Sequence, residues 1–439
     1  DLSKHYDILH GLNVATGLEY RIDAFGIRNG EEASYKNYDV PSGVGPGAQV
    51  FPGFVTQDED TKTRNAKAIY LDLEQDITKA FLLTGAVRYE NYSDFGSTFN
   101  YKFSSRLRLT EFLNLRASIS TGFRAPSMQQ KYYAKVNTLF VSQGGSLVPV
   151  QAGTFTNDSR LAELLGIPKL KEETSQNYSV GLTMKPFTGF DFTFDAYQID
   201  IKDRIILTNN FNGNTDPQIK QILTQEGAST ANFFTNAIDT RARGLEAVAS
   251  YSMSFLGKHS LRAVLALNIT DNQVKKDANG NPIIHGSDIL VNGGQLGNYF
   301  NREDQSRIEV ANPKDKVSLA FHYRFGKFGA MLRFVRFGEV QYLDPSTTPV
   351  ANAFNNNKVE TLDQTFAAKT VTDITFSYQI IKTLTATVGA NNLFDVYPDV
   401  QTHSSNQSLG RFVYSRRVQQ MGFNGAYYFA RLALALPTK

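Results

Sequence analysis

Six residues combine aromatic rings with positive charge in segments that lack a regular pattern: Tyr132, Tyr133, Phe140, Tyr299, Phe300 and Arg302. Aromatic faces and a guanidinium group suit the recognition of anionic or aromatic groups. We therefore expect these residues to contact an anionic or aromatic chelate. For each of them, the alternative is ordinary packing within a loop or a place in an aromatic girdle at a membrane interface.

Other candidate motifs point away from catalysis and metal binding. The run Asp277-Ala278-Asn279-Gly280-Asn281-Pro282 resembles the start of a calcium loop, but it lacks the required Gly at the sixth position and Glu at the twelfth, so it predicts a surface turn. The six His residues are scattered without metal-ligand spacing. A nucleophile elbow, paired catalytic carboxylates and a phosphate-binding Gly loop are absent from the sequence. We expect no metal, no cofactor and no enzyme activity, and an active site among the long loops is the alternative.

Composition excludes several classes of protein. The 439 residues include no Cys, which excludes a disulfide scaffold and a thiolate metal site. A formal charge of +3, with Lys and Arg spread along the chain, argues against a nucleic-acid partner. No apolar run approaches the roughly 20 residues that a transmembrane helix needs. Strands that alternate lipid-facing apolar residues with lumen-facing polar ones would keep the mean hydropathy low, as it is here.

Period-two alternation recurs from end to end and predicts long strands. One such segment places Leu113, Leu115, Ala117 and Ile119 on one face and Asn114, Arg116, Ser118 and Ser120 on the other. These segments run for about 10 to 15 residues, longer than the strands of a sandwich and enough to cross a bilayer at a tilt. A soluble repeat protein or propeller is the competing interpretation, but the sequence has no fixed period.

Connection lengths indicate a membrane barrel. Short turns near residues 76–79, 110–111, 185–189, 256–258, 326–327 and 381–383 alternate with mostly long links near 27–65, 124–172, 205–236, 275–312, 345–365 and 395–424. Short periplasmic turns and long extracellular loops are typical of outer-membrane barrels. The fold class is therefore all-β, an antiparallel transmembrane β-barrel with about fourteen strands in this chain. A phase change between Phe190/Phe192/Phe194 and Tyr197/Ile199/Ile201 predicts a β-bulge.

Two motifs resemble a known family. Residues 120–130 contain Gly122, Phe123, Arg124, Ala125 and Pro126, and residues 389–398 contain Asn391, Asn392, Leu393, Phe394 and Asp395. Both look like signature stretches of TonB-dependent outer-membrane receptors, and the stretches at 170–178 and 243–246 resemble further parts of that family, in the same order and spacing. From the residues themselves we expect structural roles: Asn and Asp cap a strand end, Gly and Pro direct the chain into the longest loop, and Arg124 forms an ion pair inside the lumen.

The resemblance implies more than the residues do. The family's barrel has twenty-two strands around an N-terminal plug, preceded by a segment that pairs with TonB. By this resemblance residues 1–439 are the barrel domain, and the plug and first strands precede Asp1. The implied function is TonB-coupled import of a scarce nutrient, such as a ferric siderophore or other iron chelate, through the outer membrane of a Gram-negative bacterium. The implied partners are the TonB complex, the nutrient and outer-membrane lipid. The alternatives are a passive porin or structural barrel, or import of cobalamin, an oligosaccharide or a peptide.

Three geometric predictions follow from the alternation and the loops. The charged residues Arg88, Glu90, Arg116, Arg324 and Arg431 should face the lumen, because a charge at the lipid midplane costs about 2 to 4 kcal/mol, and Val87, Leu115, Phe325 and Leu432 should face outward. The loops 124–172 and 275–312 should lie on the same side of the barrel. The strand near Val14 to Tyr20, predicted as the edge of the sheet, should pair with residues absent from this chain or with a second chain, and not with Tyr428 to Leu436.

Overall fold

A computed structural model describes residues 1–39, 41, 47–48, 52–143, 146–407 and 412–435, with the side chains of residues 138–150 outside that description. In chain order its strands are β1 (Leu2–Tyr6), β2 (Leu12–Ile27), β3 (Asp60–Thr78), β4 (Phe81–Tyr92), β5 (Gly96–Arg108), β6 (Leu113–Arg124), β7 (Lys135–Gln143), β8 (Ser146–Thr154), β9 (Glu173–Met184), β10 (Phe190–Leu207), β11 (Phe211–Asn212), β12 (Ala228–Asn232), β13 (Phe234–Phe255), β14 (His259–Val274), β15 (Asp315–Phe325), β16 (Phe328–Phe337), β17 (Val340–Tyr342), β18 (Val350–Asn352), β19 (Lys358–Glu360), β20 (Gln364–Phe366), β21 (Lys369–Ile381), β22 (Leu384–Asn391) and β23 (Tyr427–Leu434).

Short helices lie in the connections between the long strands. They are α1 (Glu32–Tyr35), α2 (Met128–Tyr132), α3 (Arg160–Leu164), α4 (Pro217–Gln225), α5 (Asp288–Asn292), α6 (Leu296–Tyr299) and α7 (Arg302–Glu309), with 3₁₀ turns at Thr56–Asp58, Ala353–Asn355 and Ser404–Asn406. Within the described parts of the chain, no helix has the length and apolar character needed to span a bilayer.

One large antiparallel sheet dominates the structure. Fifteen strands hydrogen-bond in the order β1-β2-β3-β4-β5-β6-β9-β10-β13-β14-β15-β16-β21-β22-β23. Strands that are neighbours in this sheet follow one another in the chain, as in an up-and-down barrel. The small strands β7–β8, β11–β12 and β17–β20 lie in the connections between them. The all-β antiparallel fold predicted from alternation is confirmed.

The two faces of the sheet differ as the alternation predicts. Residues directly opposite each other on paired strands point to the same side, so the register can be followed from strand to strand. Arg88 lies opposite Asn100, and Arg116 opposite Gly181. Continuing to β23 places all five predicted lumen charges on one face, which we call the polar face. Val87, Leu115, Phe325 and Leu432 lie on the opposite, apolar face, and all four are exposed.

The predicted β-bulge is in the wrong place. The pairing of β10 with β13 runs without a shift from Phe190↔Tyr251 to Ile201↔Thr240. The register shifts instead on either side of Arg204, next to Asp203, whose φ is +56°. Tyr197, Ile199 and Ile201 therefore lie on the polar face. The phase change in the sequence arises because β10 continues beyond its apolar segment, so that Gln198 and Asp200 occupy the other face there.

The edge of the sheet also differs from the prediction. We predicted that the strand near Val14 to Tyr20 would not pair with β23, and it does not. Its partner, however, is neither a second chain nor a segment absent from the chain. β1 pairs with it, from Leu2↔Thr16 to Tyr6↔Leu12. With five residues, β1 is too short for its alternation to be recognised in the sequence. This strand raises the number in the sheet from about fourteen to fifteen.

Long connections at one end of the sheet fold together into a compact unit, which we call the cap and define as residues 125–172, 208–233 and 275–314. Strands β11, β12, β8 and β7 form a four-stranded sheet within it. Its hydrophobic core includes Leu161, Leu165, Phe211, Phe233, Leu290 and Tyr299, each at most 3% exposed. Ser287 Oγ donates a hydrogen bond of 2.7 Å to the carbonyl oxygen of Leu165. The loops 124–172 and 275–312 therefore lie on the same side of the sheet, as predicted.

Helix α4 shows how the sequence builds this core. Asp216 caps it by accepting hydrogen bonds from the backbone N–H groups of Gln218 and Ile219, and Pro217 at the first position fixes a helical φ. Ile219, Ile222 and Leu223 follow with the 3- and 4-residue spacing that places them on one face. All three are buried in the cap core. The end of β14 joins them through Val274, which lies on the polar face, so the core sits above that face.

Candidate functional site

The cap contains a cleft of about 1010 Å³ formed largely by residues 277–309. Its apolar lining includes Ile283, Ile284, Val291, Leu296, Phe300 and Leu343, and its polar lining includes Asp277, Asp288, Asn301, Arg302, Gln305 and Glu309. Apolar walls with a few polar groups are typical of small-molecule sites, and the volume lies at the upper end of their usual range. Two of the six residues predicted from the sequence, Phe300 and Arg302, line this cleft.

Arg302 is held in place by a carboxylate. At the start of α7, its Nη1 and Nη2 atoms donate hydrogen bonds of 2.7 Å each to the two carboxylate oxygens of Asp363, and Nη1 also donates to the carbonyl oxygen of Asp344 at 2.9 Å. This pair raises the pKa of the Arg302 guanidinium and lowers the pKa of Asp363. The bidentate geometry fixes the guanidinium against one wall of the cleft. An anionic ligand would share Arg302 with Asp363.

Tyr299 has a packing role. Its ring is 0% exposed, with its centroid 4.9 Å from that of Phe211, and its hydroxyl oxygen accepts a 2.8 Å hydrogen bond from the N–H of Ser287. Burial raises the pKa of the Tyr299 hydroxyl. Phe300, although 5% exposed and part of the same core, contributes to the lining of the cleft. Contact of Tyr299 with a ligand stays a prediction.

Tyr132 and Tyr133 lie at a different corner, next to β3 and β4. Asp94 there accepts hydrogen bonds from the guanidinium of Arg64 and from the Tyr132 hydroxyl, the latter at 3.3 Å. Lys131 Nζ lies 3.7 Å from the same carboxylate. Burial, followed by the charge of Asp94, raises the pKa of Tyr132 to about 12. Sequence reasoning missed this ionic corner because Arg64 and Asp94 are 30 residues apart.

The six candidates thus do not form one cluster. The structure brings Tyr299, Phe300 and Arg302 together in the cap and places Tyr132 and Tyr133 at the ionic corner, where the ring of Tyr133 packs edge-on against Phe54. Phe140 belongs to β7, and its side chain lies outside the described residues. Sequence reasoning also missed the acidic residues of the cleft, Asp277, Asp288 and Glu309.

The Gly122 to Pro126 motif joins the barrel to the cap. Gly122 faces Ser175 across β6 and β9, and a Cβ atom at Gly122 would lie 2.9 Å from the Ser175 hydroxyl oxygen. Arg124 pairs with Glu173 on the polar face, as expected of a lumen ion pair. The carbonyl oxygen of Pro126 accepts a 2.8 Å hydrogen bond from Arg64. These contacts support the structural role that we predicted for the motif.

The Asn391 to Asp395 motif ends β22 through side-chain hydrogen bonds. Asn392 has a φ of +50°; its amide donates to the carbonyl oxygen of Val396, and its side-chain oxygen accepts from the Val396 N–H, at 2.8 and 2.9 Å. Asp395 accepts a hydrogen bond from the N–H of Ala426, at the other end of the following loop. These bonds support a strand-capping role.

The calcium-like run is a turn. Asp277 Oδ1 accepts hydrogen bonds of 2.9 Å from the N–H groups of Asn279 and Asn281, and Gly280 adopts a φ of +84°. Within the described residues, no group of three or more His, Cys, Asp or Glu side chains is arranged to hold a metal ion.

The sequence matches a known family over most of its length. Residues 3–393 match the family described as TonB dependent receptor-like, beta-barrel. The chain belongs to this family of TonB-dependent receptor barrels. The expected family is thereby confirmed, and its members are receptors and transporters, not enzymes.

Curated relatives match parts of this TonB-dependent receptor barrel. Ferric enterobactin receptor PirA of Pseudomonas aeruginosa is 25% identical over 149 residues, which are 34% of this chain and 19% of that protein. Heme/hemopexin utilization protein C of Haemophilus influenzae is 24% identical over 222 residues, or 45% of this chain and 28% of that protein. Each match thus spans less than a third of the relative's length.

Solved structures support the same fold. The siderophore receptor PirA from Acinetobacter baumannii superimposes with a TM-score of 0.61 at 15% identity, covering 98% of this chain and 53% of that one. An enterobactin complex of the ferric enterobactin receptor PfeA from Pseudomonas aeruginosa superimposes with a TM-score of 0.61 at 13% identity, covering 98% of this chain and 53% of that one. The copper transporter OprC superimposes with a TM-score of 0.56 at 13% identity, covering 96% of this chain and 54% of that one. This TonB-dependent receptor barrel therefore spans about half the length of these structures.

The ion pair in the cleft predicts a pH dependence. The pKa of Asp363 is lower in the folded protein than in the unfolded chain. Its pair with Arg302 therefore stabilises α7 above about pH 4 and loses that contribution as the pH falls through the folded value. Hydrogen exchange of residues 299–309, corrected for intrinsic rates, should show faster opening as the pH falls from 6 to 3. In the Asp363→Asn variant, the free energy of opening should be lower by about 1 kcal/mol at pH 6, and most of its pH dependence should be lost. Equal pH dependence in both proteins would contradict the assignment.

Proposed function

We propose that this barrel belongs to a receptor that imports a scarce nutrient, an iron chelate, across the outer membrane of a Gram-negative bacterium by TonB-coupled active transport. The TonB complex is the proposed energy source. The ligand is a small, anionic or aromatic metal chelate that the cap captures from the medium. Membership in the TonB-dependent receptor family supports the coupling.

The observation that carries the proposal is the cap with its cleft. Segments separated by more than 100 residues share one buried core above the polar face. A common core holds the loops in one arrangement, and binding sites need walls fixed in this way. The cleft of about 1010 Å³ is large enough for a small chelate.

The names of the curated relatives favour an iron chelate over the other nutrients considered. Phe300 and Arg302 offer an aromatic ring and a guanidinium to an anionic aromatic ligand. Two curated relatives are named for ferric enterobactin and for heme. The copper transporter among the structural neighbours shows that this fold also serves other metals. Copper import is accordingly the second candidate.

The proposal is tested by uptake in a bacterium that lacks its own receptors for the probe. Cells expressing the full-length receptor would be given ⁵⁵Fe-labelled ferric enterobactin, with and without TonB. We expect accumulation only with TonB, and saturation at low probe concentration. Heme and a copper salt serve as parallel probes.

Each outcome has a distinct meaning. TonB-independent, non-saturating entry of all three probes would refute active import and indicate a porin. TonB-dependent uptake of copper alone would refute the iron chelate and leave the coupling intact. An Arg302→Gln variant should raise the concentration of the iron probe that gives half-maximal uptake. A Lys358→Gln variant, at the exposed β18–β19 hairpin, is its matched control and should leave that concentration unchanged.

A further inference from the structure

The apolar face of the sheet changes character towards the cap. Along β10, β13 and β14 its residues are apolar at the short-turn end, but Gln198, Asp200, Arg241 and Arg243 occupy this same face nearer the cap. The family places this face towards lipid. The polar part therefore lies at the level of the outer leaflet's headgroups or just above it.

A basic cleft of about 650 Å³ opens on this part of the face. Asp200 lies in its wall and accepts a 2.8 Å hydrogen bond from Arg241 Nε, while Lys275 Nζ lies 3.0 Å from the same oxygen. One carboxylate thus neutralises only one of these two cations. Lys202 also lines the cleft and forms no ion pair with any residue that the structure describes.

A second cleft, of about 480 Å³, shares Arg241 and Lys275 with the first. It adds Lys276, which has no ion pair in the described part of the chain, and Lys314, which donates a 2.7 Å hydrogen bond to Asp271. Together the two clefts are lined by five basic residues, Lys202, Arg241, Lys275, Lys276 and Lys314, and three acidic ones, Asp200, Asp271 and Glu309. The joint surface is therefore net positive.

An apolar groove of about 540 Å³ adjoins the first cleft on its lipid side. Val180, Leu245 and Ile269 lie along it, and all three are exposed. Tyr178 and Gln198 line both the groove and the first cleft. Apolar and basic surfaces are thus continuous in the direction in which the tails and headgroup of a membrane lipid would lie.

We propose that this surface binds a phosphate-bearing lipid of the outer leaflet. The unpaired cations of the two clefts contact its phosphates, and the groove takes part of an acyl chain. Charge complementarity selects this occupant, because the basic side chains have too few acidic neighbours, and the adjoining groove distinguishes a lipid from free phosphate. The proposal does not depend on the import function, although Ile283 and Glu309 line both the second basic cleft and the cleft of the cap.

The test is a binding measurement with the purified full-length receptor in phosphatidylcholine nanodiscs. The probe is fluorescent phosphatidic acid, followed by anisotropy, with labelled phosphatidylcholine for comparison. The Lys202→Gln/Lys276→Gln variant removes one unpaired cation from each cleft. A basic side chain at a membrane surface contributes about fivefold in affinity, so the double variant should bind the phosphatidic acid probe about 25-fold more weakly.

The matched control is Lys79→Gln/Lys258→Gln, which removes two cations from turns at the opposite end of the sheet. It should bind the probe as the unaltered receptor does. The proposal is overturned if the two double variants lose affinity equally, if the cleft variant loses none, or if millimolar inorganic phosphate displaces the lipid probe. Retention of heat-modifiable migration in electrophoresis by both variants shows that each barrel is folded.

Discussion

Removal of the cap segment between β6 and β9 should abolish uptake of the iron probe without preventing barrel assembly. Residues 126–171 would be replaced by a short glycine–serine turn in the full-length receptor. This is feasible because Arg124 already lies opposite Glu173, so the strand ends are adjacent. The deletion removes Leu161 and Leu165 from the cap core, and Ser287 loses its hydrogen bond to the carbonyl oxygen of Leu165. Loop residues are not part of the sheet's hydrogen-bond ladder, so the barrel should still form.

The control for this deletion is the removal of another loop of the same end. The β18–β19 hairpin contributes no residue to the cap core and none to the lining of the cleft. Shortening it should leave uptake largely intact. Heat-modifiable migration in electrophoresis would report assembly of both variants. Unchanged uptake after the 126–171 replacement would show that this part of the cap has no role in transport.

A charge on the apolar face should destabilise the barrel by about 2 to 4 kcal/mol, the cost of Arg at the bilayer midplane. Leu265 lies near the middle of β14 on this face, is 44% exposed, and faces Ala249 and Leu319 on the neighbouring strands. The Leu265→Arg variant should unfold from lipid vesicles at a correspondingly lower guanidinium concentration.

The adjacent position provides the matched control. Ala266 lies on the polar face, opposite Val248 and Ser318. The same side chain introduced there as Ala266→Arg faces the water of the lumen, so the free energy of unfolding should change by less than about 1 kcal/mol. A larger loss for Ala266→Arg than for Leu265→Arg would mean that the faces have been assigned in the wrong sense, and equal losses would contradict the difference between the faces.

Most of the barrel could be predicted from the sequence because its signal is local. Alternation with a period of two is visible within any eight or ten residues, as in Leu113 to Ser120, and it fixes which face each side chain occupies. The short turns and both family motifs are equally local. The prediction failed where the signal was short or inverted. β1 has only five residues, and near the cap β10 carries Ile199 and Ile201 on the polar face and Gln198 and Asp200 on the apolar face.

The candidate site could be predicted only in part. The aromatic and basic character of Phe300 and Arg302 was visible, but the partner of Arg302, Asp363, lies 61 residues away. The burial of Tyr299 depends on Phe211 and Ser287, which belong to different connections. Single residues in loops have no periodicity that would reveal such packing, and only the folded cap shows which rings are covered.

The shared core of the cap also constrains the order in which the protein can mature. Its hydrogen bond between Ser287 and Leu165 spans 122 residues, and strands β9, β10, β13 and β14 lie between them in the chain. Contacts between residues so distant in sequence form late. The cap core can form only after those strands have inserted and their connections have reached the cell exterior. A cap that resists protease would therefore show that insertion of the barrel has proceeded beyond β14.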